Sequence, residues 1–170
     1  MLSHRADAVE ASACIAALCA LIPVCSSREE AVEAALDLID KNSLAYEAVE
    51  VGKKFVNQSA SNLHDHYGDM SPVHSLNNLA VVIWAFLSFQ DSFDEAIGET
   101  ICCGWDTDCT GATVGGLIGL DKGSIPESWT DPWQGRVNTA IAGVGELKLE
   151  DLVERTCKLV DQFSSESDMD

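Results

Sequence analysis

Asp106 and Asp108 stand two residues apart in the stretch Gly104-Trp105-Asp106-Thr107-Asp108-Cys109-Thr110-Gly111. Two carboxylates at that spacing are costly to bury unless something pairs with them. A hard divalent cation such as Mg²⁺ or Ca²⁺ is the natural partner, because both ions take carboxylate oxygens. In an acidic chain an Asp-x-Asp pair is ordinarily a solvated turn. Three features raise this one above that background. Gly104 permits an unusual backbone just before it. Thr107, Cys109 and Thr110 add small polar groups rather than more charge. Apolar runs on both sides place the segment at the edge of a core. A helix beginning near Thr110 would also turn its first N–H groups toward an anion bound there.

The elements around this stretch read as helices. Residues 6–22 form one helix that stops before Pro23. Ser26 and Ser27 offer caps, with Glu29 and Glu30 completing a capping box. Val32, Ala35, Leu36 and Ile39 then mark an amphipathic helix over 28–41. A further helix is expected over 43–58. The polar stretch 58–72, with Gly68 and Pro72, reads as a loop. His64 and His66 fall in it and are expected to be exposed loop residues rather than metal ligands.

Leu79–Leu87 is apolar without interruption, so periodicity alone leaves strand and buried helix open. Val81, Val82 and Ile83 favour a strand; the length and the helical neighbours favour a helix buried all round. Asp91-Ser92 caps a short helix to about Cys103. Beyond the Asp pair, Gly111, Gly115 and Gly119 recur every four residues among Val114, Leu117, Ile118 and Leu120. Each glycine costs a helix roughly 1 kcal/mol relative to alanine. A helix that keeps three on one stripe uses it for close approach to a neighbour. Residues 124–132 read as a turn-rich link, 133–142 as a short helix, and Leu152 to Phe163 as a last amphipathic helix. Residues 164–170 read as a disordered acidic tail.

Composition bounds what such a site could serve. The 170 residues are 46% hydrophobic, which suits one globular domain with its own core. Twenty-eight acidic against 10 basic residues give a formal charge of −18. That charge repels phosphate backbones and anionic lipid surfaces, so neither nucleic acid nor membrane is expected as a partner. Seven cysteines without a C-x-x-C pair signal neither a disulfide framework nor a zinc site, and favour the reducing cytosol. Ala11–Ile22 is read as a helix, not a signal peptide, since Asp7 and Glu10 precede it. A P-loop is excluded because no G-K-[ST] ends the glycine-rich run.

The stretch Gly104-Trp105-Asp106-Thr107-Asp108-Cys109-Thr110-Gly111-Ala112-Thr113-Val114-Gly115 resembles the C-terminal metal motif of the ADP-ribosylglycohydrolase family. Val73-His74-Ser75-Leu76-Asn77-Asn78, Ile125-Pro126-Glu127-Ser128-Trp129 and Arg136–Gly143 extend the resemblance in matching order, from about residue 8 to about residue 163. It implies an all-α, multi-helix orthogonal bundle over residues 1–163. It also implies a hydrolase that cleaves the bond between ADP-ribose and an acceptor, with ADP-ribose or an ADP-ribosylated substrate as its partner. Two divalent ions, usually Mg²⁺, serve that reaction in the family.

By the same resemblance Asp106 and Asp108 are ligands, Asp108 the bridging one, and Thr110 or water completes the coordination. His74, Asn77, Gly104 and Trp105 are the implied substrate-binding residues. The family usually carries threonine or serine where Cys109 stands. Thiolate suits Mg²⁺ poorly, so Cys109 is expected to pack. The family's N-terminal half, with a Gly-Asp segment and consecutive acidic residues, has no counterpart here. The bundle is therefore expected to be incomplete at its N-terminus, a C-terminal portion that is inactive or weak alone unless another chain supplies the facing ligands. The alternative is a non-catalytic helical interaction module that keeps the fold. A glycosyltransferase Asp-x-Asp motif is set aside, because no strand and helix alternation builds a nucleotide-sugar fold.

Overall fold

The computed structural model describes residues 6–167. Among them the protein is all-α apart from one short hairpin. It divides into two compact units, Met1–Ser124 and Ile125–Asp170, a boundary that falls inside the single domain expected over 1–163.

The first unit holds seven helices among the described residues: α1 Asp7–Leu21, α2 Arg28–Leu36, α3 Leu44–Lys54, α4 Ser61–Tyr67, α5 Ser75–Ser88, α6 Phe93–Cys102 and α7 Thr107–Lys122. Caps set several of the starts. Ser27, Ser43 and Ser92 each accept a hydrogen bond from a backbone N–H in the first turn of the helix that follows. Glu30 reaches back to the Ser26 N–H at 2.7 Å, so the expected capping box forms one residue wider than usual. The second helix stops at Leu36 rather than at 41, because residues 37–39 turn instead.

The ambiguous apolar run resolves as helix. Every residue of α5 from Leu79 to Leu87 is buried, with Trp84 and Phe86 at 1% and 0% exposure. Burial on all sides explains why no amphipathic period shows in its sequence. Burying one such side chain is worth about 1.5–3 kcal/mol, and α5 is the centre on which the others pack. Gly52 of α3 permits the closest approach: a Cβ there would lie 2.7 Å from the Ala80 carbonyl oxygen. The glycine stripe of α7 works the same way against α6. A Cβ on Gly111 would lie 2.8 Å from Ile101 Cδ1, and one on Gly115 3.3 Å from Ile97 Cδ1.

Buried Arg28 locks α2, α5 and α7 together. Its Nε donates to Asp121 Oδ2 at 2.9 Å, and Nη1 donates to the Phe86 carbonyl at 2.7 Å. Its guanidinium lies 4.7 Å from the centroid of the Phe86 ring. Such a cation stays buried only because it is paired and hydrogen-bonded.

Other sequence expectations are also corrected. The stretch 58–72 is not all loop: Leu63 and Tyr67, four residues apart, bury one face and draw Ser61–Tyr67 into α4. In the second unit, 133–142 is not a helix. After α8 Glu127–Thr130 and a 3₁₀ turn at Asp131–Trp133, strands β1 Arg136–Asn138 and β2 Glu146–Lys148 pair antiparallel, Val137 opposite Leu147. Gly135, Gly143 and Gly145 all take positive φ around that hairpin, which a helix would not accommodate. The unit ends in α9 Leu149–Ser167, which carries the helix past residue 163; residues 168–170 of the expected tail lie outside the described residues.

Candidate metal centre

The acidic pair sits where α6 hands over to α7. The chain leaves α6 at Cys103 and turns through Gly104 at φ +79° and Trp105 at φ +57°. Glycine takes that region freely, whereas a tryptophan there costs roughly 1–2 kcal/mol. Side-chain contacts hold the turn in place. The Trp105 ring stacks on His64 of α4 with centroids 4.0 Å apart, and Tyr67 meets it edge-on at 6.5 Å. His64 Nε2–H donates to the Cys103 carbonyl, which assigns the tautomer, since a carbonyl only accepts. His64 is therefore a structural partner of the acidic loop, not an exposed loop residue. Its pairing with Trp105 is invisible in sequence because the two lie 41 positions apart.

Asp106 occupies the N-cap of α7 yet makes no capping bond. Most aspartates there accept from a first-turn N–H. This one is left for other partners: Asn78 Nδ2 donates to its Oδ2 at 3.3 Å, and the Cys109 thiol donates to its carboxylate. Asp108 follows in the first turn. The Cys109 thiol is held above the ordinary thiol range, first by its hydrogen bond to Asp106.

One ligand atom from each of Asp106, Asp108 and Cys109 lies within 4.8 Å of the others. Two hard carboxylate oxygens in that reach fit a divalent cation of the Mg²⁺ or Mn²⁺ type; a protonated thiol adds little to it. The expectation that Cys109 packs is corrected, since its side chain is exposed beside the carboxylates. Thr110 is buried at 2%, and its hydroxyl donates to the Asp106 carbonyl at 2.9 Å while keeping its lone pairs.

A cavity of about 270 Å³ adjoins these residues through Cys109, Thr110, Thr113 and Asn78. Ser12 and Ile15 of α1 and Leu79 and Val82 of α5 also line it. The implied substrate residues are placed variously. His74 is an exposed cap of α5, its Nδ1 accepting from the Leu76 N–H at 3.3 Å. Asn77 is fully buried and donates to the Ser71 carbonyl at 3.1 Å. Neither lines the cavity, whereas Asn78 does. Gly104 and Trp105 form the turn itself. The sequence does not say which of the two adjacent asparagines faces the cavity, because that needs the rotational phase of α5 and a uniformly apolar run carries no phase.

A family model described as ADP-ribosylglycohydrolase matches residues 1–167. No curated protein and no solved structure matches the chain.

Proposed function

We propose, from the premise that this chain belongs to the ADP-ribosylglycohydrolase family, that its site serves divalent-cation-dependent hydrolysis of the bond between ADP-ribose and an acceptor. The observation that carries the reading is the donor set of Asp106 and Asp108, gathered on the turn into α7 within the matched span. Glycosidic cleavage passes through an oxocarbenium-like state and needs a positioned sugar and an activated water. A bound Mg²⁺ or Mn²⁺ supplies orientation of the sugar hydroxyls and polarisation of that water.

The residues of the chain divide the remaining work. Asp106 and Asp108 hold the cation, and the Thr110 hydroxyl is the third oxygen within the same turn. Gly104 and Trp105 lead directly into Asp106 and meet the substrate. Asn77 acts through the turn at Ser71, and His74 through the start of α5. The cavity is slightly below the 300–1,000 Å³ of common ligand sites, so it takes a sugar-sized part of the substrate. A cation held by so few donors keeps most of its waters and binds weakly. We therefore assign this chain low activity by itself. A segment or partner chain bearing further carboxylates would complete a two-ion site. The free cysteines suit a reducing compartment such as the cytoplasm. No helix among the described residues is long and apolar enough to cross a membrane.

Release of ADP-ribose from an ADP-ribosylated protein, with Mg²⁺ or Mn²⁺ present, tests the reading. Slow release is expected, falling roughly a hundredfold or more in Asp106→Asn and in Asp108→Asn. Release that both substitutions leave unchanged would remove the site from the reaction. Mn²⁺ binding without any release at high enzyme concentration is the behaviour of a non-catalytic helical module.

A further inference from the structure

Asn78 of α5 makes a hydrogen-bonding choice that packing does not explain. Its Nδ2 donates to Asp106 Oδ2 at 3.3 Å, while its own Oδ1 is buried with no hydrogen-bond partner among the described residues. A carboxylate only accepts, so the amide nitrogen must be the atom that faces Asp106. Turning the amide over to serve its own carbonyl would set acceptor against acceptor. The orientation is thus dictated by Asp106 and not by the needs of the amide. Buried acceptors without a partner are few in folded proteins, and each calls for a reason.

The backbone that carries this side chain is tied to the turn before α5. Asn77 Oδ1 accepts from the Asn78 backbone N–H at 2.9 Å, and Asn77 Nδ2 donates to the Ser71 carbonyl at 3.1 Å. The turn before α5 thus holds the backbone of Asn78 through Asn77, and the Asn78 amide reaches from there to the acidic loop. Asn78 also lines the cavity beside Cys109, Thr110 and Thr113, so it stands on the ligand side of α5.

We infer that Asn78 is the positioning residue of the Asp106 carboxylate: by holding Oδ2 through Nδ2 it fixes the orientation in which that carboxylate meets a divalent cation. The inference rests on the cation reading above and adds a residue to it. A neutral amide suits this place, because it orients one carboxylate without attracting protons or repelling the second. Partners that orient a ligating group in this way typically carry 10–100-fold in metal affinity.

The test is Mn²⁺ binding to the metal-free full chain, read by calorimetry and by the free-Mn²⁺ EPR signal, beside thermal unfolding in chelator. Asn78→Leu keeps the shape and removes both the donor and the unpaired acceptor. Asn78→Ala, measured in parallel, serves the same purpose if the leucine chain does not fold. The expected result is an unfolding temperature at or above wild type for Asn78→Leu, with Mn²⁺ affinity about tenfold weaker or more in both variants. A fall in unfolding temperature in both variants, whether or not affinity falls with it, would show a structural asparagine and overturn the inference. Wild-type affinity in the variants, with binding lost in Asp106→Asn, overturns it while the cation site stands. No Mn²⁺ binding by the wild-type chain removes both.

Discussion

Asp106 shows how one residue can be withdrawn from its ordinary local task. An aspartate at a helix N-cap would normally satisfy a first-turn N–H, but here its carboxylate meets Asn78 and the Cys109 thiol. Cys109 in turn is an exposed thiol whose titration is displaced upward by that hydrogen bond and by the nearby carboxylates. A raised thiol pKa means less thiolate at a given pH, and thiolate is the reactive form. Iodoacetamide near pH 8 is therefore expected to modify Cys109 several-fold more slowly than the exposed Cys19, Cys102 and Cys157. The ranking is read by peptide mass spectrometry. Asp106→Asn removes the acceptor's charge and should bring Cys109 up toward the other three. Equal rates at all four in the wild type would show that the Asp106 contact does not govern the thiol.

Among elements, the short helix α4 has the clearest functional consequence. Its inner face is Leu63 and Tyr67, which dock it on the core; its His64 then clamps the turn that carries the acidic pair. Removing the imidazole frees a turn in which a tryptophan sits at positive φ, so the loop gains alternatives to its present shape. His64→Ala is expected to speed amide exchange across residues 103–108 and to weaken Mn²⁺ binding several-fold. His64→Phe keeps a ring against Trp105 but loses the bond to Cys103, and should fall between the two. Hydrogen exchange read by mass spectrometry separates these cases. Unchanged protection in His64→Ala would mean that Gly104 and Trp105 hold their conformation without α4. The glycine stripe of α7 serves a related end, letting α6 and α7 approach closely so that the turn between them is short.

At the scale of the whole molecule, the core belongs to one unit. Every buried hydrophobic residue among those described lies between Ala11 and Ile118, inside Met1–Ser124. The second unit instead shows Val153, Leu159, Val160 and Phe163 of α9 at 53–68% exposure. A chain ending at Ser124 is therefore expected to unfold cooperatively, within about 5 °C of the full chain, a difference of about 1 kcal/mol. Thermal unfolding followed by far-UV circular dichroism checks it; loss of the cooperative transition would mean that residues 125–170 contribute to the stability of the first unit. The net charge of −18 acts at this scale too. It repels anionic groups unless a cation offsets their charge.

Local chemistry determined much of this protein from its sequence alone. Serine caps, apolar spacing and the glycine stripe depend on neighbours within a turn or two, so α1, α2, α3, α6 and α7 were legible in the sequence. The Asp-x-Asp pair and its flanking segments were distinctive enough to carry the family resemblance, which the family match bears out. Tertiary structure decided what depends on distant partners. Leu79–Leu87 had no period to read because burial on every side removes the polar face that would reveal one. α4 forms because Leu63 and Tyr67 find a core, and the hairpin forms where glycines at positive φ allow it. Above all, the partners of the acidic turn, His64 and Asn78, come from helices 28 to 42 residues upstream of Asp106. Their roles follow from which face of α4 and α5 meets the loop, and that is settled only when the helices pack.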